Sequence, residues 1–182
     1  MPSRRHVLLG LGAFPFASLS LSTSLLSALL AGCGEDRPPA VALRPVPIAA
    51  ADECAVCGMQ IRGFPGPKGE AHVSGREAAL KFCSTRDFFA WVLQPEVGAS
   101  VQALWVHDLG ATGWEQPDDA AFTDARSAFY VIGHRRLGAM GPTLASFRER
   151  PAAEAFAARE GGRVLAFLDV TVALVAGGLE PG

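Results

Sequence analysis

Cys54 and Cys57 stand three positions apart in the run ECAVCGM, with Gly58 and Met59 directly behind them. A C-x-x-C pair can serve as a thiol–disulfide couple, half of a zinc site, a haem attachment or a soft-metal hook. Haem attachment of the c type needs His directly after the second Cys, and residue 58 is Gly, which excludes it. A thioredoxin-type pair opens a helix directly after an apolar strand. Here the pair follows a proline-rich segment and the fit is poor. A structural zinc site asks for four ligands, usually as two pairs, and only Cys83 with a lone histidine is left to complete one. A structural disulfide is the plain alternative, although it would close a very short loop and stabilise little. Cu(I) is the remaining reading. It is soft, accepts two or three ligands and prefers thiolate and thioether sulfur.

The methionines bear on that choice. Beyond the initiator the chain has Met59, at the end of CGM, and Met140, in GAMGP. Both sit beside glycine and outside any apolar helical stripe, whereas a core methionine normally belongs to a periodic segment. A thioether needs no deprotonation and forms no disulfide. Exposed or gap-filling methionines are the bland alternative. Among the histidines, His107 falls inside a strand pattern and reads as a satisfied core or surface residue. His134 neighbours Arg135 and Arg136, which would repel a bound cation. Cys83 lies at an expected helix N-terminus, where a thiol pKa falls. It is a possible third, auxiliary thiol ligand or a small buried side chain. FPGPKG, residues 64–69, reads as a rigid turn that presents Lys68 to a partner.

The elements that must position these residues are legible from pattern. GEAHVSG (69–75) and ALKFC (79–83) read as strands. Ser84 with Asp87 matches a capping box, so a helix starts there and carries Phe88, Phe89, Trp91, Val92 and Leu93 until Pro95. VQALWVHDL (101–109) alternates as the next strand. The second half repeats the order: SAFYVIG (127–133) and TLASF (143–147) as strands, a helix over 151–160 stopped by Gly161 and Gly162, then RVLAFLDV (163–170). TVALVAGG closes the chain as a short helix or strand. GATGWEQPDDAAF is a polar connection. The expected fold class is α+β, two similar ββαβ units over residues 53–112 and 113–182.

The chain begins with Arg4 and Arg5, then an apolar run that ends in LLAGC. This reads as a signal peptide over 1–32, cleaved before a lipidated Cys33. SRRHVLL also has the look of a twin-arginine export signal. Pro38, Pro39, Pro45 and Pro47 make residues 33–52 a tether that stands the domain off the membrane. Of 16 basic and 18 acidic residues, only two arginines precede Cys33, so the mature 150 residues carry a net charge of −4. Nucleic-acid binding normally needs a basic face and is not expected. Three cysteines remain after lipidation, an odd number for an oxidising compartment, so one thiol has no internal partner.

CAVCGMQI, FPGPKGEAHV, KFCSTRDFFAW, GAMGP and GGRVLAF, in that order, resemble the nitrous-oxide reductase accessory lipoproteins, the NosL family. The resemblance runs from the Cys33 lipobox to about Asp169. It implies a Cu(I)-binding lipoprotein that is not an enzyme, anchored on the periplasmic side with the outer membrane as its expected place. Its partners would be nitrous-oxide reductase and the ABC-type maturation complex beside it, and its task the supply of copper for the reductase's copper–sulfide centre. The family's fold is two ββαβ units related in shape to an organomercurial lyase. The family's C-G-M block falls on Cys57, Gly58 and Met59, and its M-G block on Met140 and Gly141. The ligand set it implies is the Cys57 thiolate with Met59 or Met140, and Cys54 and His72 as auxiliaries. A thiol–disulfide or organomercurial-type enzyme using the C-x-x-C cysteines is the competing function.

Overall fold

The structure, a computed structural model, describes residues 43–180. The signal peptide, Cys33 and the first part of the tether lie outside the described residues.

The first sheet is antiparallel, ordered β2-β1-β3-β4. β1 is Gly69–Val73, β2 Leu80–Phe82, β3 Val101–His107 and β4 Phe122–Asp124. Between β2 and β3 lies the helix α1, Thr85–Val92. Ser84 caps it as its sequence demands: the Asp87 N–H donates to Ser84 Oγ at 3.1 Å. Phe88 and Phe89 of α1 are fully buried. Phe88 lies so close over Gly69 that a Cβ there would come within 2.5 Å of its ring.

The second sheet is ordered β8-β5-β9, with β5 at Phe129–Ile132, β8 at Ala145–Phe147 and β9 at Arg163–Ala166. The helix α2, Arg150–Glu160, packs on it through Phe156, whose ring centroid is 5.2 Å from that of Phe147. Each half therefore contains the strand–strand–helix–strand order, and the fold class is α+β with two ββαβ units. Phe89 meets Tyr130 edge to face at 4.8 Å, so one aromatic core spans the halves. Ser146 Oγ donates to the His107 carbonyl and the Leu109 N–H to that of Ser146, joining β3 to β8.

Three features differ from the pattern-based expectation. Phe122–Asp124, in and just beyond the polar connection, is β4 and extends the first sheet past residue 112. A small hairpin, β6 Leu137–Gly138 with β7 Gly141–Pro142, is inserted between β5 and β8. Its strands are too short to show alternation. The described end of the tether is part of the fold rather than a stand-off: Ile48 is buried, the Val46 N–H donates to Glu70, the Ile48 N–H donates to Asp119 at 2.8 Å, and Lys81 Nζ donates to the Pro47 carbonyl. Proline makes this segment extended, and an extended segment can lie along a sheet as readily as stand off it. The tail is a helix, α3, Val172–Gly177, capped by Thr171. No helix among the described residues is long and apolar enough to cross a membrane.

Candidate metal centre

The C-x-x-C run is a tight loop closed on itself. Glu53 and Gln60 form an isolated antiparallel bridge, the Cys54 N–H donates to the Met59 carbonyl at 2.9 Å, and the Gly58 N–H donates to that of Cys54 at 2.9 Å. Gly58 adopts φ 73°, a left-handed turn that a side chain resists. The Ala55 N–H donates to the Lys81 carbonyl, which docks the loop on the free edge of β2. That docking sets both sulfurs beside the place where β2 turns into α1.

Cys83 occupies that turn and Asp87 follows four residues later, one helical turn on. Sγ of Cys54, Cys57 and Cys83 and a carboxylate oxygen of Asp87 all lie within 4.8 Å of one another. Cys57 Sγ is 3.5 Å from Cys83 Sγ, and Asp87 Oδ2 is 3.3 Å from Cys54 Sγ and 3.4 Å from Cys83 Sγ. All three cysteines are free thiols. Cys54, Cys83 and Asp87 are buried, whereas Cys57 is half-buried at the mouth.

Crowding sets the proton distribution. A hydrogen bond from the Cys83 thiol lowers Cys54 to about 6. The same hydrogen bond, with burial, pushes Cys83 far above the usual thiol range. Burial, ahead of smaller effects, raises Cys57. The fall expected for Cys83 at a helix N-terminus is thus corrected: a second thiol and a carboxylate outweigh the helix end. Cys54 is thus the thiol that gives up its proton most readily, and an incoming cation displaces the protons that the other two hold more firmly.

The other sequence-derived residues are distributed as follows. Met59 is half-buried beside Cys57 in the same loop. Met140 is exposed in the tip of the β6–β7 hairpin. Arg86 Nη1 donates to the Met140 carbonyl at 3.2 Å, and Thr143 Oγ1 lies 2.9 Å from Thr85 Oγ1, so the hairpin is fastened to the helix turn that carries Asp87. His72 stands outside the thiol group: its Nε2 is 2.9 Å from Oε1 of the buried Glu70. His107 and His134 are both buried, each accepting a backbone N–H at Nδ1. Lys68 is not offered to a partner. It is 3 % exposed, with Nζ donating to the Phe64, Pro65 and Gly66 carbonyls. Burial lowers its ammonium to about 8, which leaves it charged at neutral pH.

Asp87 is the residue that sequence reasoning assigned only a capping role. Its signal was present, because four residues separate it from Cys83 across a helix start. Pattern alone, however, does not say that the Cys54 loop arrives at the same turn.

A soft cation fits this donor set, with three sulfurs, one carboxylate and two thioether-bearing residues on the adjoining loops. The family model NosL matches residues 45–175. The copper-binding lipoprotein NosL of Stutzerimonas stutzeri is 47% identical to this chain over 156 residues, 86% of this chain and 81% of that protein. The copper-binding lipoprotein NosL of Achromobacter cycloclastes is 40% identical over 160 residues, 85% and 81% of the two lengths. The crystal structure of the copper chaperone NosL from Shewanella denitrificans superposes with a TM-score of 0.70 at 42% identity, covering 71% of this chain and 97% of that one.

Proposed function

The chain belongs to the NosL family, and from that footing we propose that it binds Cu(I) outside the cytoplasm, as a lipoprotein anchored through Cys33, and delivers it for assembly of the copper–sulfide centre of nitrous-oxide reductase. The observation that carries the metal reading is the convergence of Cys54, Cys57, Cys83 and Asp87 within 4.8 Å. The names of the relatives support copper as the cargo and a carrier rather than an enzyme as the role.

The arrangement suits transfer. Cys54 and Cys83 hold the cation from below, and Cys57 stands at the mouth where an incoming ligand can reach it. Met59 and the exposed Met140 supply neutral sulfur on the loops around that mouth. Cu(I) accepts two or three ligands and exchanges them stepwise. The cargo therefore leaves by passing from the interior thiols to Cys57 and a thioether, then to the receiving protein. The ABC-type maturation complex that accompanies the reductase is the proposed receiver. The same four donors also match in number the closed sets that retain Zn²⁺, and Cys57 and Cys83, in contact at 3.5 Å, are the pair placed to oxidise to a disulfide.

One titration separates these readings. The reduced domain from Gly34 onward is titrated anaerobically with Cu(I) and with Zn²⁺ against chromogenic competitors. Copper delivery requires tight Cu(I) binding that weakens in Cys57→Ser and in Met140→Leu. Preference for Zn²⁺, or reversible oxidation with no metal bound, would sink it. In the full chain, Cys33→Ser should release the protein from the membrane fraction, and continued attachment would count against the lipid anchor.

A further inference from the structure

Lys68 presents a buried charge that the binding chemistry described so far does not use. Its side chain is enclosed, and its three N–H bonds run to carbonyls of its own loop, which solvate the ammonium without neutralising it. Among the described residues no carboxylate forms an ion pair with it. A buried cation without a counter-charge is costly, and lysine is almost never enclosed unless paired. If the task were only to tie residues 64–66 together, neutral donors would do it without that cost.

The sheet register shows what faces it. Gly69 pairs with Phe82, Glu70 with Lys81 and Ala71 with Leu80. Carried one step further, this antiparallel register sets Lys68 opposite Cys83, and opposed residues project to the same face. On its other side Lys68 is fixed to β3, since its N–H donates to His107 Nδ1 and its carbonyl accepts the His107 N–H. The main chain of Lys68 is thereby fixed to β3 one step beyond the last β1–β2 pair, next to the turn that carries Cys83, and Cys83 is the ionisable group whose charge acts on the ammonium.

We propose that Lys68 is the fixed counter-charge of the metal-loaded cluster, and so a positioning residue for the cargo rather than a ligand. The inference rests on the copper reading above. Loading removes thiol protons. Thiolates and the Asp87 carboxylate around a single positive ion leave a net negative charge, enclosed where the dielectric is low. The empty protein holds an unpaired cation. The loaded protein holds a cation beside an anionic cluster. The lysine therefore favours the loaded state over the empty one, and a neutral side chain there would not.

The test uses the Cu(I) competition titration. Lys68→Gln keeps hydrogen-bond donors for the loop and removes the charge. Lys68→Met removes both. Each should raise the Cu(I) Kd about tenfold, the scale of one partly screened charge. In Asp87→Asn, where the loaded cluster is less negative, the loss caused by Lys68→Gln should shrink. Wild-type affinity in folded Lys68→Gln, or a loss that is the same in both backgrounds, would overturn the proposal and leave Lys68 a loop clamp. A measurement on the unmutated protein covers variants that fail to fold. The ¹⁵N-ammonium resonance of Lys68 should move on Cu(I) loading, and an unmoved resonance would equally overturn it. Absence of Cu(I) binding by the wild type would overturn the copper reading and this one with it. Binding by the wild type with no effect of the lysine overturns this one alone.

Discussion

Cys83 is a fully buried thiol lying within contact of Cys57 and hydrogen-bonded to a carboxylate. Its location on the floor of the cluster makes it a candidate ligand. Replacing it by Ser keeps a small polar group for Asp87 and removes the sulfur. The expected result is a Cu(I) affinity at least as reduced as the roughly 10- to 100-fold typical of losing a ligand's supporting partner. Cys83→Ser with unchanged affinity, in the same competition titration, would place the cargo on the loop residues alone. At this scale the sequence was informative about Cys54, Cys57 and the glycine-flanked methionines, because their spacing is local. It marked Cys83 only as an auxiliary thiol or a small buried side chain and gave Asp87 only a capping role, because their convergence depends on a loop that lies 26 and more residues away in the chain. His72 had the right side chain for a ligand, yet its Nε2 meets the buried Glu70 carboxyl at 2.9 Å and lies outside the thiol group.

The elements that hold the site are short, so close packing rather than length fixes them. β1 and α1 approach through Gly69, where a Cβ would lie 2.5 Å from Phe88. Phe88 is buried on all sides and has nowhere to move. Gly69→Ala should therefore destabilise the fold by about 1–3 kcal/mol, as overpacked cores do, read as a lower urea midpoint at constant slope. An unchanged midpoint would show that α1 is free to slide, and with it Cys83 and Asp87. The longer elements were legible in advance because alternation and capping are properties of neighbours in sequence. β1, β2, β3, β5, β8, β9, α1 and α2 all fall within or close to the segments that pattern marks. The β6–β7 hairpin and β4 were not, since two or three residues carry no period. The hairpin is nonetheless what brings Met140 to α1, through Arg86 and the Thr85–Thr143 contact.

Over the whole folded unit, three buried ionisable groups outside the thiol cluster, His107, His134 and Glu70, shape how stability depends on pH on the acid side of neutrality. Burial lowers His107 and His134 from 6.5 to about 4. Each is a base with a depressed pKa, so the unfolded chain takes up its proton first, and the stability it contributes is present above 6.5 and lost as pH falls towards 4. Burial raises Glu70 from 4.5 to about 7, against the Val46 N–H that it accepts at the start of the domain. Its sign is opposite: folding keeps its proton where the unfolded chain has lost it, so its contribution fades as pH rises from 4.5 to 7. Between pH 4.5 and 6 the unfolded chain therefore binds two imidazole protons and the folded chain one carboxyl proton. The net difference is one proton, and stability should rise by about 1.4 kcal/mol per pH unit. His134→Gln removes one imidazole and should make that window nearly flat. Glu70→Gln keeps an acceptor for Val46 and removes the opposing proton, so the slope should about double. Urea denaturation at pH 4.5, 5, 5.5 and 6 reads these slopes directly. Three equal slopes would mean that the buried groups do not control acid stability. A steeper Glu70→Gln with an unaltered His134→Gln would assign the effect to the docked N-terminal segment alone.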